Sequence, residues 1–339
     1  MENKLPEGYL DRAPRLDDTE AVVEMFNAAS QKLFGIDQVT VEEQRIEFET
    51  PGRSLEEDFR VVTAPDGSMA GYIEVFGLTE PFTPLYCWGR VHPAYEGQGV
   101  GSYLLEWAEG RARKALLLSA PELRVPLWAF CHTIDGEAQE LFTNQGFRLL
   151  RHNLRMVIEL DEVPAQPVWP EGITMRTMVP GQDEYPAFVA SREAFEDHFG
   201  HVVRPLEEEF QTWQHRLASS SDYDPSLWFL ALDGEQIAGG SLCFKTVDND
   251  PSFGWVASLS VRRPWRKRGL GLALLQQSIG EFYRRGFRKA GLSVDAENLS
   301  GAVRLSDKAG MHSDPQHQMT IYEKELRSGK DPYTAGCVG

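Results

Sequence analysis

The stretch Arg262–Leu275, RRPWRKRGLGLALL, puts five basic side chains within seven residues and runs straight into Gly-x-Gly and an apolar segment. Glycines let a backbone approach an anion closely, and the first turn of a helix offers unpaired N–H groups at the positive end of its dipole. Arg266, Lys267 and Arg268 add full charges just before that turn, while Gly269, Leu270, Gly271 and Leu272 supply the backbone. The chemistry this suits is the holding of a phosphate or pyrophosphate. A Walker A loop would need Gly-Lys-Ser/Thr where Leu272 follows Gly271, and a dinucleotide fingerprint would need a third glycine that Ala273–Leu275 do not supply. The bland alternative is a capped surface helix with a solvated basic turn. The return of Gly-x-Gly at Gly99, Val100 and Gly101 weighs against it.

That return is part of a larger repeat. Two strand-like runs flank an Asp-Gly turn near the start of each half, at Asp66-Gly67 and Asp233-Gly234, a strong hairpin signal. A strand closing on Val91 or Val261 then leads through the Gly-x-Gly loop to a helix. A short helix ending on Gly146 or Gly310 follows. The landmarks recur in one order at offsets of 164 to 170 residues, which argues for duplication of a whole domain. Each copy reads as strand, helical segment, hairpin, longer strand, helix, strand, helix, strand, an α/β fold with a mixed sheet. In the second copy Phe253, Trp255, Ala257, Leu259 and Val261 alternate along the longer strand, and Leu272, Leu275, Ile279 and Phe282 form a helical stripe. The proline-rich segment at 163–171 reads as the linker. The expected division is an N-terminal domain at 1–162, a C-terminal domain at 172–327 and a loose tail at 328–339.

Formal charge is −17 overall, about −13 of it in residues 1–165. A field this negative disfavours nucleic acid and anionic membrane, and favours cationic partners such as amines. No apolar run is long enough to span a bilayer, and the first residues have no apolar signal core. Cys87, Cys131, Cys243 and Cys337 are far apart and lack metal-ligand spacing, so reduced thiols in a cytoplasmic protein without a metal are expected.

Arg266-x-x-Gly269-x-Gly271 after a strand ending LSV, with Asn298 and the run AVRLSDKAGM beyond it, resembles the acyl-CoA loop, the Asn and the A-x-x-L-Y-x-x-x-G-F helix of the GNAT superfamily of N-acyltransferases. The resemblance covers the chain once per half, as in tandem GNAT proteins. It implies acetyl-CoA as co-substrate, its pyrophosphate on the backbone from Arg266 to Leu272. The pantetheine arm would run along Leu259, Ser260 and Val261, and Asn298 would touch it. The first copy matches less well: Glu96 stands where the motif wants Arg or Gln, although Val91, Gln98, Gly99, Val100, Gly101 and Ser102 preserve a cradle. That copy is expected to be degenerate, structural or weakly binding.

The implied reaction is attack of a neutral amine on the acetyl carbonyl. It needs a group to deprotonate an ammonium and a way to stabilise a leaving thiolate. The superfamily often uses a Glu on the central strand and a Tyr in A-x-x-L-Y. Here that strand, FGWVASLSV, has no carboxylate, and the Tyr position holds Ser306, or Phe142 in the first copy. Ser306 can donate a hydrogen bond there and is one catalytic candidate; the others are Tyr322 on the last strand, Asp295, and Asp197 and His198 in EAFEDHFGH. The expectation is an acetyl-CoA-dependent N-acetyltransferase acting on a small, cationic primary amine, as a monomer or simple oligomer. A non-catalytic acyl-CoA-binding sensor is the alternative.

Overall fold

The computed structural model describes residues 4–297 and 301–332. The elements in chain order begin with β1 (Leu10–Arg12), α1 (Thr19–Phe34), α2 (Val41–Phe48), α3 (Leu55–Asp58), β2 (Phe59–Thr63), β3 (Met69–Phe76) and β4 (Leu85–Val91). They continue with α4 (Val100–Leu116), β5 (Val125–His132), α5 (Gly136–Asn144), β6 (Arg148–Glu159), β7 (Ile173–Thr177), α6 (Glu184–Ala194) and α7 (Leu206–Ser219). The last are β8 (Tyr223–Asp233), β9 (Gln236–Phe244), β10 (Phe253–Val261), α8 (Leu270–Arg284), β11 (Lys289–Asp295), α9 (Ala302–Lys308), β12 (His312–Ser313) and β13 (Met319–Arg327).

These form two compact units. Of the described residues, the first holds 4–151, 202–219 and 319–332; the second holds 152–201, 220–297 and 301–318. In the first, strands run β1-β2-β3-β4-β5-β13. β4 lies parallel to β5, and β13 antiparallel to β5 from Met319 opposite His132 to Arg327 opposite Val125. One face is covered by α4, which buries Leu104, Leu105 and Ala108 against Ile73, Leu85 and Leu127. On the other face Phe26, Phe48 and Phe59 pack around Tyr72. In the second unit strands run β7-β8-β9-β10-β11-β6, with β10 parallel to β11 and β6 antiparallel to it. There α8 buries Leu274, Leu275, Ile279 and Phe282, whereas Leu272 is only half-buried. Both Asp-Gly turns close hairpins, at β2–β3 and β8–β9.

The units do not follow the division expected at residues 163–171. Most of β6, read as the last strand of the first copy, completes the second sheet, and β13, read as the last strand of the second copy, completes the first. The physical reason lies in the partners. Glu323 of β13 is buried and receives bonds from Arg124 Nη2 at 2.6 Å and Trp128 Nε1 at 3.1 Å. Helix α7 also joins the first unit: His215 Nε2 lies 3.2 Å from the Ile46 carbonyl. Part of the expected loose tail is fixed there too, because Arg124 N donates to Lys330 O at 2.9 Å and Lys330 N to Glu122 O at 2.8 Å.

Candidate active site

In the second unit β10 and β11 pair only from Phe253–Trp255 with Lys289–Gly291, then run on unpaired with each other to Val261 and Asp295. A wedge therefore opens at their carboxyl ends, the place where open α/β sheets receive ligands. The register of β10 on β9 shifts between Val256 and Ser258. Ala257 is the extra residue of this bulge, a device that removes backbone groups from the ladder and re-aims a strand. It breaks the alternation read from the sequence: Val256 and Ser260 are buried, and Ala257 is exposed. Beside it Ser258 Oγ lies 3.4 Å from Ser191 Oγ of α6. Neither serine was singled out from the sequence, because a bulge has no signature in an alternating apolar run.

Beyond Val261 the chain makes a tight turn in which Trp265 is buried and its Nε1 donates to Asp233 Oδ2 at 2.8 Å. Lys267 (φ 61°) and Gly269 (φ 87°) are both left-handed, and Gly269 caps α8. The first amides of this 15-residue helix stand behind Lys267 and Arg268, both exposed. This donor set fits an anion such as a pyrophosphate. Arg266 has a different position from the one expected. Its Nε donates to Val261 O at 3.0 Å, and Nη2 to Ala194 O at 2.6 Å and to Asp197 Oδ1 at 3.0 Å. Nη1 bonds Asp197 as well. Arg266 therefore ties the loop to the end of α6, and Lys267 and Arg268 are the charges left facing solvent.

The proposed catalytic residues separate. Asp197 is engaged by Arg266, whose hydrogen bond holds its carboxyl below the usual range. His198 stacks edge-on against Phe195 at 4.5 Å; burial pushes its pKa down, with the Asp197 and Asp295 charges opposing. Ser306 is buried and donates to Ala302 O of its own helix at 3.1 Å, so its hydroxyl is turned to backbone. Tyr322 is not in this unit: it lies in the core of the first, 5.3 Å from Phe142. It was read as part of the second copy because it follows that copy in sequence, and the placement of β13 removes it. Asn298 lies outside the described residues. Leu259 and Val261 are half-buried along the wedge.

The first unit repeats the wedge, β4 pairing with β5 only from Leu85–Cys87 with Leu127–Ala129. Its loop keeps Gly99 at φ 87° and α4 behind it. No bulge interrupts β4 on β3, which pair continuously from Gly71–Val91 to Phe76–Tyr86. Glu96 is bonded by Lys32 of α1, which also reaches Glu137 at 3.2 Å. Gln98 Oε1 accepts from the Tyr9 hydroxyl at 2.7 Å. The wedge encloses a cavity of about 820 Å³ that Val91, Gly99, Gly101 and Ser102 help to line.

Among the described residues no group of three or more His, Cys, Asp or Glu could hold a metal ion, and no helix is long and apolar enough to cross a membrane. Two splayed mixed sheets, each with a glycine loop feeding a helix, define an acyltransferase class. The family described as "Acetyltransferase (GNAT) family" matches residues 190–311, and "Acetyltransferase (GNAT) domain" matches 56–149. The chain belongs to the GNAT acetyltransferases, as a tandem GNAT N-acetyltransferase resembling mycothiol synthase. The mycothiol acetyltransferase of Streptomyces coelicolor is 32% identical over 258 residues, 74% of this chain and 75% of that one. That of Streptomyces bingchenggensis is 30% identical over 271 residues, 77% of each. A GCN5-related N-acetyltransferase from Sphaerobacter thermophilus matches with a TM-score of 0.78 and 36% identity, over 97% of this chain and 99% of that one. A tandem GNAT protein from the clavulanic acid biosynthesis pathway shares the fold, with a TM-score of 0.67 and 16% identity over 95% and 100%.

Proposed function

We propose that the second unit carries the acetyl transfer, to the primary amine of a small cationic acceptor. The observation that carries this reading is the bulge at Ala257 in the wedge, beside a helix N-terminus flanked by exposed Lys267 and Arg268. The first unit lacks such a bulge and has Glu96 at the corresponding loop position. Bound acetyl-CoA supplies an activated acetyl thioester. Backbone from Lys267 to Leu272 would hold its pyrophosphate, and the N–H groups freed around Ala257 would face its thioester end as hydrogen-bond donors. His198, kept neutral by burial, is the residue suited to take the proton of an incoming ammonium. Asp197 acts through Arg266 as a positioning residue. The leaving thiolate needs no strong acid, consistent with Ser306 being turned to its own helix.

The Streptomyces relatives carry the name mycothiol acetyltransferase, so amines related to mycothiol belong in an acceptor panel beside polyamines and amino sugars. The experiment is calorimetric titration of acetyl-CoA, followed by the panel, on wild type and on Lys267→Glu/Arg268→Glu. One site and all turnover lost together in the variant is the expected result. Undiminished turnover in the variant would refute the assignment to the second unit.

A further inference from the structure

We propose that the cavity of the first unit is a binding site for a small organic carboxylate, its anion received by Arg90, rather than a second acyl-CoA site. Arg90 precedes Val91, as Ser260 precedes Val261, and each valine presents its Cγ2 to the second glycine of its loop, Gly101 or Gly271. So where the second unit keeps a small buried serine on the strand edge, the first sets a guanidinium into the cavity wall. An arginine there fills the path that a neutral pantetheine arm would need and replaces it with an anion site.

Arg90 has no ion pair among the described residues. Its hydrogen bond goes to the Gly89 carbonyl at 3.2 Å, and its guanidinium sits 5.1 Å over the Trp88 ring. Asp135 acts on it electrostatically without an ion pair, and its Oδ1 caps α5, accepting from Ala138 N at 3.0 Å. Burial disfavours the Arg90 charge, and Asp135 offsets only part of this. The cavity's other cation, Lys32, is taken up by Glu96 and Glu137. Arg90 is half-buried with its guanidinium in the cavity wall, and an arginine fork matches a carboxylate with two parallel bonds.

The rest of the cavity selects the ligand's body. Tyr72, Trp88, Phe130 and Phe142 give it aromatic walls. Its volume of about 820 Å³ lies in the range of small-molecule pockets. Glu96 at the loop repels a pyrophosphate, so the ligand carries its anion at Arg90 and an apolar, preferably aromatic, remainder.

The test titrates phenylacetate, indole-3-acetate and hexanoate, each against its neutral primary amide, into the full chain by calorimetry. Wild type should show saturable 1:1 binding of at least one carboxylate, at least about tenfold tighter than its amide. Arg90→Met should abolish that preference and Arg90→Lys retain part of it, while acetyl transfer by both variants stays within about twofold of wild type. Peptide-resolved hydrogen exchange across β2 to β5 reports that the first unit is folded in each variant. If Arg90→Met does not fold, the carboxylate-to-amide ratio in wild type and Arg90→Lys decides. Absence of any saturable carboxylate preference, a preference unchanged in Arg90→Met, or loss of an acetyl-CoA site in that variant would each overturn the proposal.

Discussion

Arg266 on the glycine loop of the second unit and Asp197 just beyond α6 form an ion pair whose counterpart in the first unit has its charges exchanged, with Glu96 on the loop and Lys32 on α1. The same mechanical tie is thus built twice from opposite charges, with the cation on the loop in the second unit and the anion on the loop in the first. Asp197→Asn should cost about 1–2 kcal/mol of stability, since the pair is partly buried and multiply hydrogen-bonded. The swap Arg266→Glu/Asp197→Lys should recover most of that loss but leave acetyl-CoA affinity more than about tenfold weaker, because the loop then carries a negative charge beside Lys267 and Arg268. Thermal melts and acetyl-CoA titration of the three proteins check this. A swapped protein that binds acetyl-CoA like wild type would mean that the tie alone matters.

His198 provides a pH signature. Burial lowers its pKa below the ordinary 6.5, so the imidazole is neutral at pH 7 and becomes charged only in more acidic solution. As the proton acceptor it should give kcat an acidic limb with its midpoint below 6.5, measured with an amine whose own ionisation falls outside that range. His198→Gln should lower kcat by about a hundredfold and erase the limb. The same shift makes neutral His198 stabilising above pH 6.5, and that contribution fades as pH falls through the ordinary histidine range. A limb that survives in His198→Gln would assign the proton to another group.

The duplicated plan, both Asp-Gly hairpins and the loop from Arg266 to Leu272 were legible because each rests on local signals: turn residues, period and glycine spacing. What stayed hidden is non-local. MTIYEKEL alternates equally well beside either sheet, and only the pairing of Tyr322 with Ala129 shows which sheet it completes. Arg266 was read by type as a phosphate ligand, but its partner, Asp197, lies 69 positions away. Arg90 drew no attention because a single arginine in a strand is unremarkable until the cavity around it is seen.

The exchange of last strands makes Tyr322 a stability residue of the first unit. Tyr322→Phe should leave acetyl transfer within about twofold, because no turnover depends on its hydroxyl in this placement. Tyr322→Ala removes a buried ring packed on Phe142 and should cost about 3–5 kcal/mol. Truncation before Met319 should expose the edge of β5 and unfold the first unit while β6 to β11 retain their pairing. Hydrogen exchange resolved by peptide distinguishes the units. Protection lost first in β10 and β11 would place β13 in the other sheet.

Glu74 of β3 should make the first unit's stability fall with rising pH. It is buried and paired with Arg53 at 2.8 Å, which lies 4.1 Å over the Phe59 ring, and burial pushes its carboxyl up to about 7. The folded pKa thus exceeds the ordinary 4.5. The stabilising contribution is fully present below about pH 4.5 and is lost as pH climbs through 7, with a total on the order of 3 kcal/mol. Glu74→Gln cannot titrate. It should show a lower starting stability if Arg53 misses its partner, yet a flatter profile between pH 5 and pH 8 than wild type. Other carboxylates of the fold are common to both proteins and cancel in the difference. Denaturant melts at pH 5, 6, 7 and 8 give that difference directly, and parallel profiles would show that Glu74 stays ionised throughout, held so by Arg53.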